Sequence, residues 1–266
     1  MTEDIPYRDA YARSVEARVV SVEPLDGGGH TVVLDRTVFY PGGGGQPSDA
    51  GWLTGAGERR WIVRGARRSS GDIVHELGPE PEPAGDGGRS TGAGAGEAGA
   101  HAGAPVPGET VTAEIDWERR HLLMRTHTAL HTLCGVVWRD YGALVTGGNM
   151  EPGRGRLDFE FETLSGELVG TIETAVNAEL AAERPVHVRV LPRDEAFAIP
   201  DLIRTKVNLL PEGIAQVRVI EIEGLDLQAD GGTHVANTRE VGQIRVTGYE
   251  SKGRINKRIR IELVGG

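Results

Sequence analysis

The stretch WERRHLLMRTHTALHTLCGVVWRDYG, residues 117 to 142, spaces its apolar residues three and four apart and ends on a glycine, which predicts a helix over Trp117–Tyr141. Directly downstream, GRLDFEFE alternates strictly and puts Leu157, Phe159 and Phe161 on one face of a strand. SGELVGTIETAVNAELAAER then reads as a second amphipathic helix, with Ser165 as its N-cap and Pro185 behind its end. Strands follow at VHVRVL, AQVRVIEI, GQIRVTGYES and RINKRIRIELV. The order helix, strand, helix and then strands predicts an α+β domain over residues 117–266, a two-layer α/β arrangement with helices on an antiparallel sheet.

Upstream the pattern differs. EARVVSV, HTVVLDRTVFY, RWIVRG, DIVHEL and ETVTAEIDW are short strand-like runs separated by turn signals such as DGGG, which predicts a β-rich, small β-barrel-like domain over residues 1–116. Residues 79–108, PEPEPAGDGGRSTGAGAGEAGAHAGAPVPG, carry almost no large apolar side chains and no periodicity. Such a segment reads as a flexible insertion that interrupts the barrel, with DIVHEL and TVTAEID as its neighbouring strands.

At 266 residues, 38% hydrophobic and 26% charged, the chain has the composition of a soluble globular protein, and no run approaches the roughly 18 apolar residues that a membrane-spanning helix requires. Its polar, acidic start shows no secretory signal, and the lone Cys134 cannot form an internal disulfide, so the chain reads as cytoplasmic. A net charge of −10 opposes indiscriminate attraction to nucleic acid, DNA included. Locally, SKGRINKRIR (251–260) gathers Lys252, Arg254, Lys257, Arg258 and Arg260, either as a charged edge strand or as a contact to RNA phosphates.

Within the first helix His127 and His131 stand four apart and project from one face, so both imidazoles can reach one ion. Cys134 lies about 10 Å along the axis from His127, too far for comfortable joint coordination, and reads as a core thiol. In QADGGTHVANTREVG (228–242), Asp230 and His234 flank a turn that two glycines make tight enough for both side chains to converge. Asp230 serves there as a turn former or as a ligand. Two residues from a helix and two from a turn together meet zinc's demand for four nitrogen and oxygen donors.

FYPGGGGQPSDAGWL (39–53), RTHTALH (125–131), LPRDEAFAIPDLIR (191–204) and DLQADGGTHVANTREVGQI (226–244) together resemble the AlaX family, free-standing relatives of the alanyl-tRNA synthetase editing domain. The resemblance implies an aminoacyl-tRNA deacylase that hydrolyses the ester of mischarged tRNA in trans, with seryl- or glycyl-tRNA(Ala) as substrate. It implies a zinc site whose catalytic and metal-holding residues are His127, His131 and His234, with Asp230 where the family has cysteine. That exchange keeps the negative charge but supplies a harder, weaker ligand for zinc. The resemblance further places Thr146 and Asn149 in the pocket that reads the amino acid. It sets Gly43, Gly44, Gly45 and Gln46 near the tRNA acceptor end.

Rival readings are a specialised relative that clears another amino acid such as threonine or fluorothreonine, a non-catalytic tRNA-binding module, and a metal hydrolase of free small esters.

Overall fold

A computed structural model describes residues 1–26, 28–78, 103–206 and 213–265. The chain divides into two compact units, one of residues 1–6, 11–41 and 48–116, the other of residues 7–10, 42–47 and 117–266. Among the described residues no helix is long and apolar enough to cross a membrane.

In the first unit, β1 (Glu3–Asp4) and β4 (Arg36–Thr37) form a short parallel pair. β2 (Ser14–Pro24), β3 (His30–Leu34), β5 (Gly51–Thr54), β6 (Arg60–Ser69), β7 (Asp72–Gly78) and β8 (Thr110–Ile115) close a barrel in the order β2-β3-β7-β6-β5-β8. Along β8 the period of two is strict, with Val111, Ala113 and Ile115 buried and the residues between them exposed. Register shifts between Val19 and Ser21 and between Val63 and Gly65 mark bulges that help the sheet bend into closure. His75 is fully buried in this unit. Its Nδ1 is 3.0 Å from the Val32 carbonyl and its Nε2 is 2.7 Å from Thr37 Oγ1, so both ring nitrogens have partners.

DIVHEL and TVTAEID flank the insertion as expected, as β7 and β8 of one barrel, where they occupy opposite positions on the ring. The expected insertion lies outside the described residues as far as 102. Its last part, 103–108, is described, and Trp61 Nε1 donates to the Gly103 carbonyl at 3.0 Å.

The second unit is built around α1 (Trp117–Tyr141), in which every residue from Thr126 to Val137 is buried. β9 (Val145–Glu151) and β10 (Arg154–Glu160) follow, then α2 (Gly166–Ala181), capped as expected by Ser165 Oγ, which accepts from Leu168 N at 3.1 Å. β11 (Val186–Pro192), the short α3 (Arg193–Phe197), β12 (Gln216–Ile222), β13 (Asp226–Ala229), β14 (Gln243–Ser251) and β15 (Asn256–Val264) complete the unit. The single antiparallel sheet expected from the pattern is two. One has the order β14-β15-β10-β9 and the other β11-β12-β13, all antiparallel.

Leu157, Phe159, Ile259 and Ile261 from the four-stranded sheet bury with Leu130, Leu133 and Val137 of α1 and Ile172 and Val176 of α2. The opposite side of α1 approaches β13 where the helix carries Gly135. A Cβ at that position would lie 2.9 Å from Leu225 Cγ and 3.0 Å from Asp226 Cβ, so glycine is what permits the approach. α1 is thereby enclosed between two sheets, which explains burial around the whole of its circumference.

Candidate metal centre and substrate cavity

All of the site lies within the second unit. His127 and His131 leave α1 on consecutive turns, with ring centroids 5.0 Å apart. After β13 the chain turns through Asp230-Gly231-Gly232-Thr233-His234. Arg218 on β12, itself buried, anchors this turn from beneath: its Nη1 donates to the carbonyls of Asp230 (3.1 Å) and Gly232 (2.7 Å). Gly232 then passes so close to the helix that a Cβ would sit 2.3 Å from His127 Cε1. The result is that the His234 ring stacks on His127 with centroids 4.2 Å apart and meets His131 edge-on at 4.6 Å.

Asp230 is both a turn former and a cluster member. Its Oδ2 accepts from Gly232 N at 2.6 Å, and the same carboxylate lies 3.2 Å from His234 Nε2 and 3.6 Å from His127 Nε2. One ligand atom from each of His127, His131, Asp230 and His234 falls within 4.8 Å of the others. Tetrahedral zinc, with bonds of about 2.0–2.1 Å, sets its ligand atoms about 3.3 Å apart. The donor set and spacing fit such an ion.

A further layer fixes the rings. His127 Nδ1 is 2.9 Å from Gln46 Oε1, His131 Nδ1 is 3.1 Å from Asp226 Oδ2, and His234 Nδ1 is 3.3 Å from Thr128 Oγ1. With every Nδ1 held by a protein oxygen, Nε2 is the atom each ring turns toward the common point. Gln46 is positioned for this by Thr233, whose N donates to Oε1 at 3.0 Å and whose Oγ1 accepts from Nε2 at 2.8 Å.

Burial lowers the pKa of His127 to about 4, and it pushes His234 well below its ordinary value, so both rings are neutral near pH 7. At His131 burial also favours the neutral ring, but the hydrogen bond and charge of Asp226 outweigh it and raise the pKa. Burial works against ionisation of Asp230, yet its electrostatic coupling to the neighbouring imidazoles, His127 first, together with the His234 hydrogen bond, holds it well below the usual carboxylate range. His127 and His234 beside an ionised Asp230 are thus already in the state that a cation requires of its ligands, whereas His131 has to give up its proton for a cation to bind.

The cluster opens into a cavity of about 590 Å³, whose wall includes Gly44, Gly45, Thr146, Asn149 and Arg204. Thr146 Oγ1 donates to Asn256 Oδ1 at 2.6 Å. Cys134 is buried and also lines the cavity; burial pushes its thiol pKa up, so it stays protonated outside the four-residue cluster. Gly43 turns back on Gln46 through paired backbone hydrogen bonds of 3.0 and 2.9 Å. Gln46 itself is buried, with its amide committed to His127 and Thr233.

In the basic run the five residues part company, with Arg260 on Glu250. Lys257 is buried and its ammonium donates to the Gly253 and Arg254 carbonyls at 2.7 and 2.9 Å, tying off the β14–β15 hairpin. Arg258 forks onto Asp158 at 2.7 and 2.8 Å. Lys252 is 3.5 Å from Glu250, and Arg254 is exposed.

Sequence reasoning missed Thr128, Asp226, Arg218 and Arg204. Asp226 opens the quoted stretch DLQADGGTH, but nothing local announces that it reaches a helix 95 positions away. Asp226 Oδ1 and Arg204 Nη1 are buried 3.8 Å apart and neither atom has a hydrogen-bond partner among the described residues, while the Arg204 guanidinium lies 4.8 Å from the Trp138 ring.

Residues 217–260, which carry the Asp230–His234 turn, match the family described as "Threonyl and Alanyl tRNA synthetase second additional domain". Alanyl-tRNA editing protein AlaX-M of Saccharolobus solfataricus is 35% identical over 260 residues, 97% of this chain and 98% of that protein. AlaX-M of Methanosarcina mazei is 35% identical over 265 residues, 99% of this chain and 97% of that protein. The alanine–tRNA ligase of Pyrobaculum neutrophilum is 33% identical over 256 residues, 94% of this chain but 25% of the ligase. The chain belongs to the AlaX family of alanyl-tRNA editing proteins.

Proposed function

We propose that this alanyl-tRNA editing enzyme, a deacylase, hydrolyses the ester of seryl- or glycyl-tRNA(Ala) at a zinc ion held by His127, His131, Asp230 and His234. The observation that carries the reading is the convergence of three imidazoles and one carboxylate beside a cavity of about 590 Å³, with every Nδ1 already engaged. That volume lies inside the range of about 300–1,000 Å³ usual for small-ligand sites. When bound, zinc supplies Lewis acidity at the scissile ester.

The chain's own residues do the remainder. Asp226, Gln46 and Thr128 hold the rings in one tautomer and orientation, which spares reorganisation during reaction. Asp230 contributes the negative charge that offsets a dication in a buried place. Thr146 and Asn149, on the edge strand β9, present polar groups to the amino-acid side chain. Enclosure by Leu130, Leu157 and Leu202 limits bulk water around the ester. The protein works in the cytoplasm, with aminoacyl-tRNA as its partner.

The test is deacylation of a panel of mischarged tRNAs, with metal content measured on the same preparation. About one zinc per chain together with rapid release of serine or glycine from tRNA(Ala) is expected. Full zinc without turnover of any aminoacyl-tRNA supports the non-catalytic module, and release of threonine alone supports the specialised relative.

A further inference from the structure

On the face of the four-stranded sheet turned away from α1, cations outnumber the carboxylates that hold them. Cross-strand pairing sets Asn149, Arg156 and Arg260 side by side in one row, with Asp158 and Arg258 paired in the next row of the same face. Asp158 accepts from both Arg258, at 2.7 and 2.8 Å, and Arg156 Nη1, at 3.1 Å. Glu250 is shared by Arg260, by Lys252 at 3.5 Å and by Arg258 at 3.6 Å. Four cations therefore share two carboxylates. The flanking pairs Arg154–Glu151 and Arg245–Glu262 are balanced and remove none of that surplus. A surplus of positive charge on a chain of net charge −10 is a local feature with a local consequence.

The same face carries a groove of about 210 Å³, lined by Arg154, Arg156, Arg260, Thr247, Asn149 and Met150. Asn149 and Met150 also belong to the wall of the cavity beside the histidine cluster, so groove and cavity border the same two residues of the edge strand β9. Arg156 and Arg260 are 32% and 42% exposed in their side chains, which leaves donors of each planar fork accessible from solvent.

We propose that this groove is the track of the RNA backbone: a phosphodiester of the acceptor end lies on Arg156 and Arg260 while the ester-bearing terminus enters the cavity past Asn149. The assignment rests on the deacylase reading for its ligand. Of the basic run 251–260 it keeps Arg260 and adds Arg156 from the neighbouring strand, because Lys257 is spent on its own hairpin and Arg258 is neutralised by Asp158.

The experiment measures binding of uncharged tRNA(Ala) transcript to the zinc-loaded protein over a series of salt concentrations, for the parent and for Arg156→Gln, Arg260→Gln, Arg156→Lys and Arg189→Gln. Arg189, on β11 and paired with Glu221, is a control for charge removed elsewhere. Each glutamine variant on the sheet face is expected to weaken binding about five- to tenfold and to lower the slope of log affinity against log salt by about one. Arg156→Lys keeps the charge and the slope, and Arg189→Gln matches the parent. Hydrolysis of seryl-adenosine, which has no backbone to track, is expected to be unchanged in every variant. Parental affinity and slope in both glutamine variants, or an equal loss in Arg189→Gln, overturns the groove. Should Arg156→Gln fail to fold, Arg260→Gln gives the same reading from the more exposed side chain. A parent that binds tRNA through these arginines yet deacylates nothing defeats the deacylase reading and leaves the groove standing.

Discussion

Asp226 Oδ2 lies 3.1 Å from His131 Nδ1, joining the first residue of β13 to the middle of α1 at a point where both are buried. An ionised acceptor behind a ligating imidazole raises that ring's basicity and fixes the nitrogen it offers. Asp226→Asn is therefore expected to lower zinc affinity about 10- to 100-fold in a chelator competition. An affinity equal to that of the parent would show that Asp226 only fills space.

Asp230 performs two tasks with one carboxylate, and substitutions separate them. Asp230→Asn keeps an oxygen for Gly232 N but removes the charge. It should bind zinc more weakly and deacylate more slowly, with the metal-free melting temperature near that of the parent. Asp230→Cys gives up the turn contact and restores a thiolate, so its zinc affinity should equal or exceed the parent's. Undiminished zinc in the asparagine variant, combined with plain destabilisation in the cysteine variant, would return Asp230 to the turn alone.

Thr146 sits in the cavity wall with its proton committed to Asn256, which leaves its oxygen lone pairs to accept from a substrate hydroxyl. Thr146→Val should change the ratio of seryl to alanyl ester hydrolysis by several fold, from a hydrogen bond worth about 1 kcal/mol, more than it changes the common rate. If the ratio holds while the rate falls, the hydroxyl serves only its bond to Asn256 at the start of β15, and Asn149 becomes the candidate reader.

His75 gives the first unit a dependence on acid. Burial lowers its pKa from 6.5 to about 4, so the folded state binds this proton less readily than the unfolded chain. The contribution is present above pH 6.5 and is lost as pH falls toward 4, by about 2 kcal/mol between pH 7 and pH 5. Denaturant melts of the parent and His75→Gln should show a lower stability for the variant at pH 7 and a shallower loss on acidification. Parallel pH curves would show that His75 is already neutral, or already charged, in both states.

The parts of the site legible in the sequence were those governed by local geometry. His127 and His131 are readable because a helix fixes what lies four residues apart, and Asp230 and His234 because two glycines shape a turn. What escaped was register between elements. Nothing in β13 announces that Asp226 meets His131, a contact made possible by Gly135 on the helix. Alternation likewise says which residues of a strand face inward but not which strand lies beside it. That is why one expected sheet became two, and why β7 and β8 stand opposite each other in the barrel. In RINKRIRIELV a period of two would have placed Lys257 with Ile259 and Ile261 on the covered face, apart from Arg258 and Arg260; counting charges without that period made one run of what are two faces.

Gln46 binds the glycine-rich segment 42–47 to the histidine cluster, since a single oxygen accepts from both His127 and Thr233. Thermodynamic reciprocity then applies. If the order of that segment and the loading of the ion share a hydrogen bond worth about 1 kcal/mol, each favours the other by about fivefold. On the proposed zinc site, the ion becomes an effector of the loop, and whatever settles on the loop becomes an effector of the ion. A chelator should thus act at a distance from the metal, as an antagonist of the segment's partner.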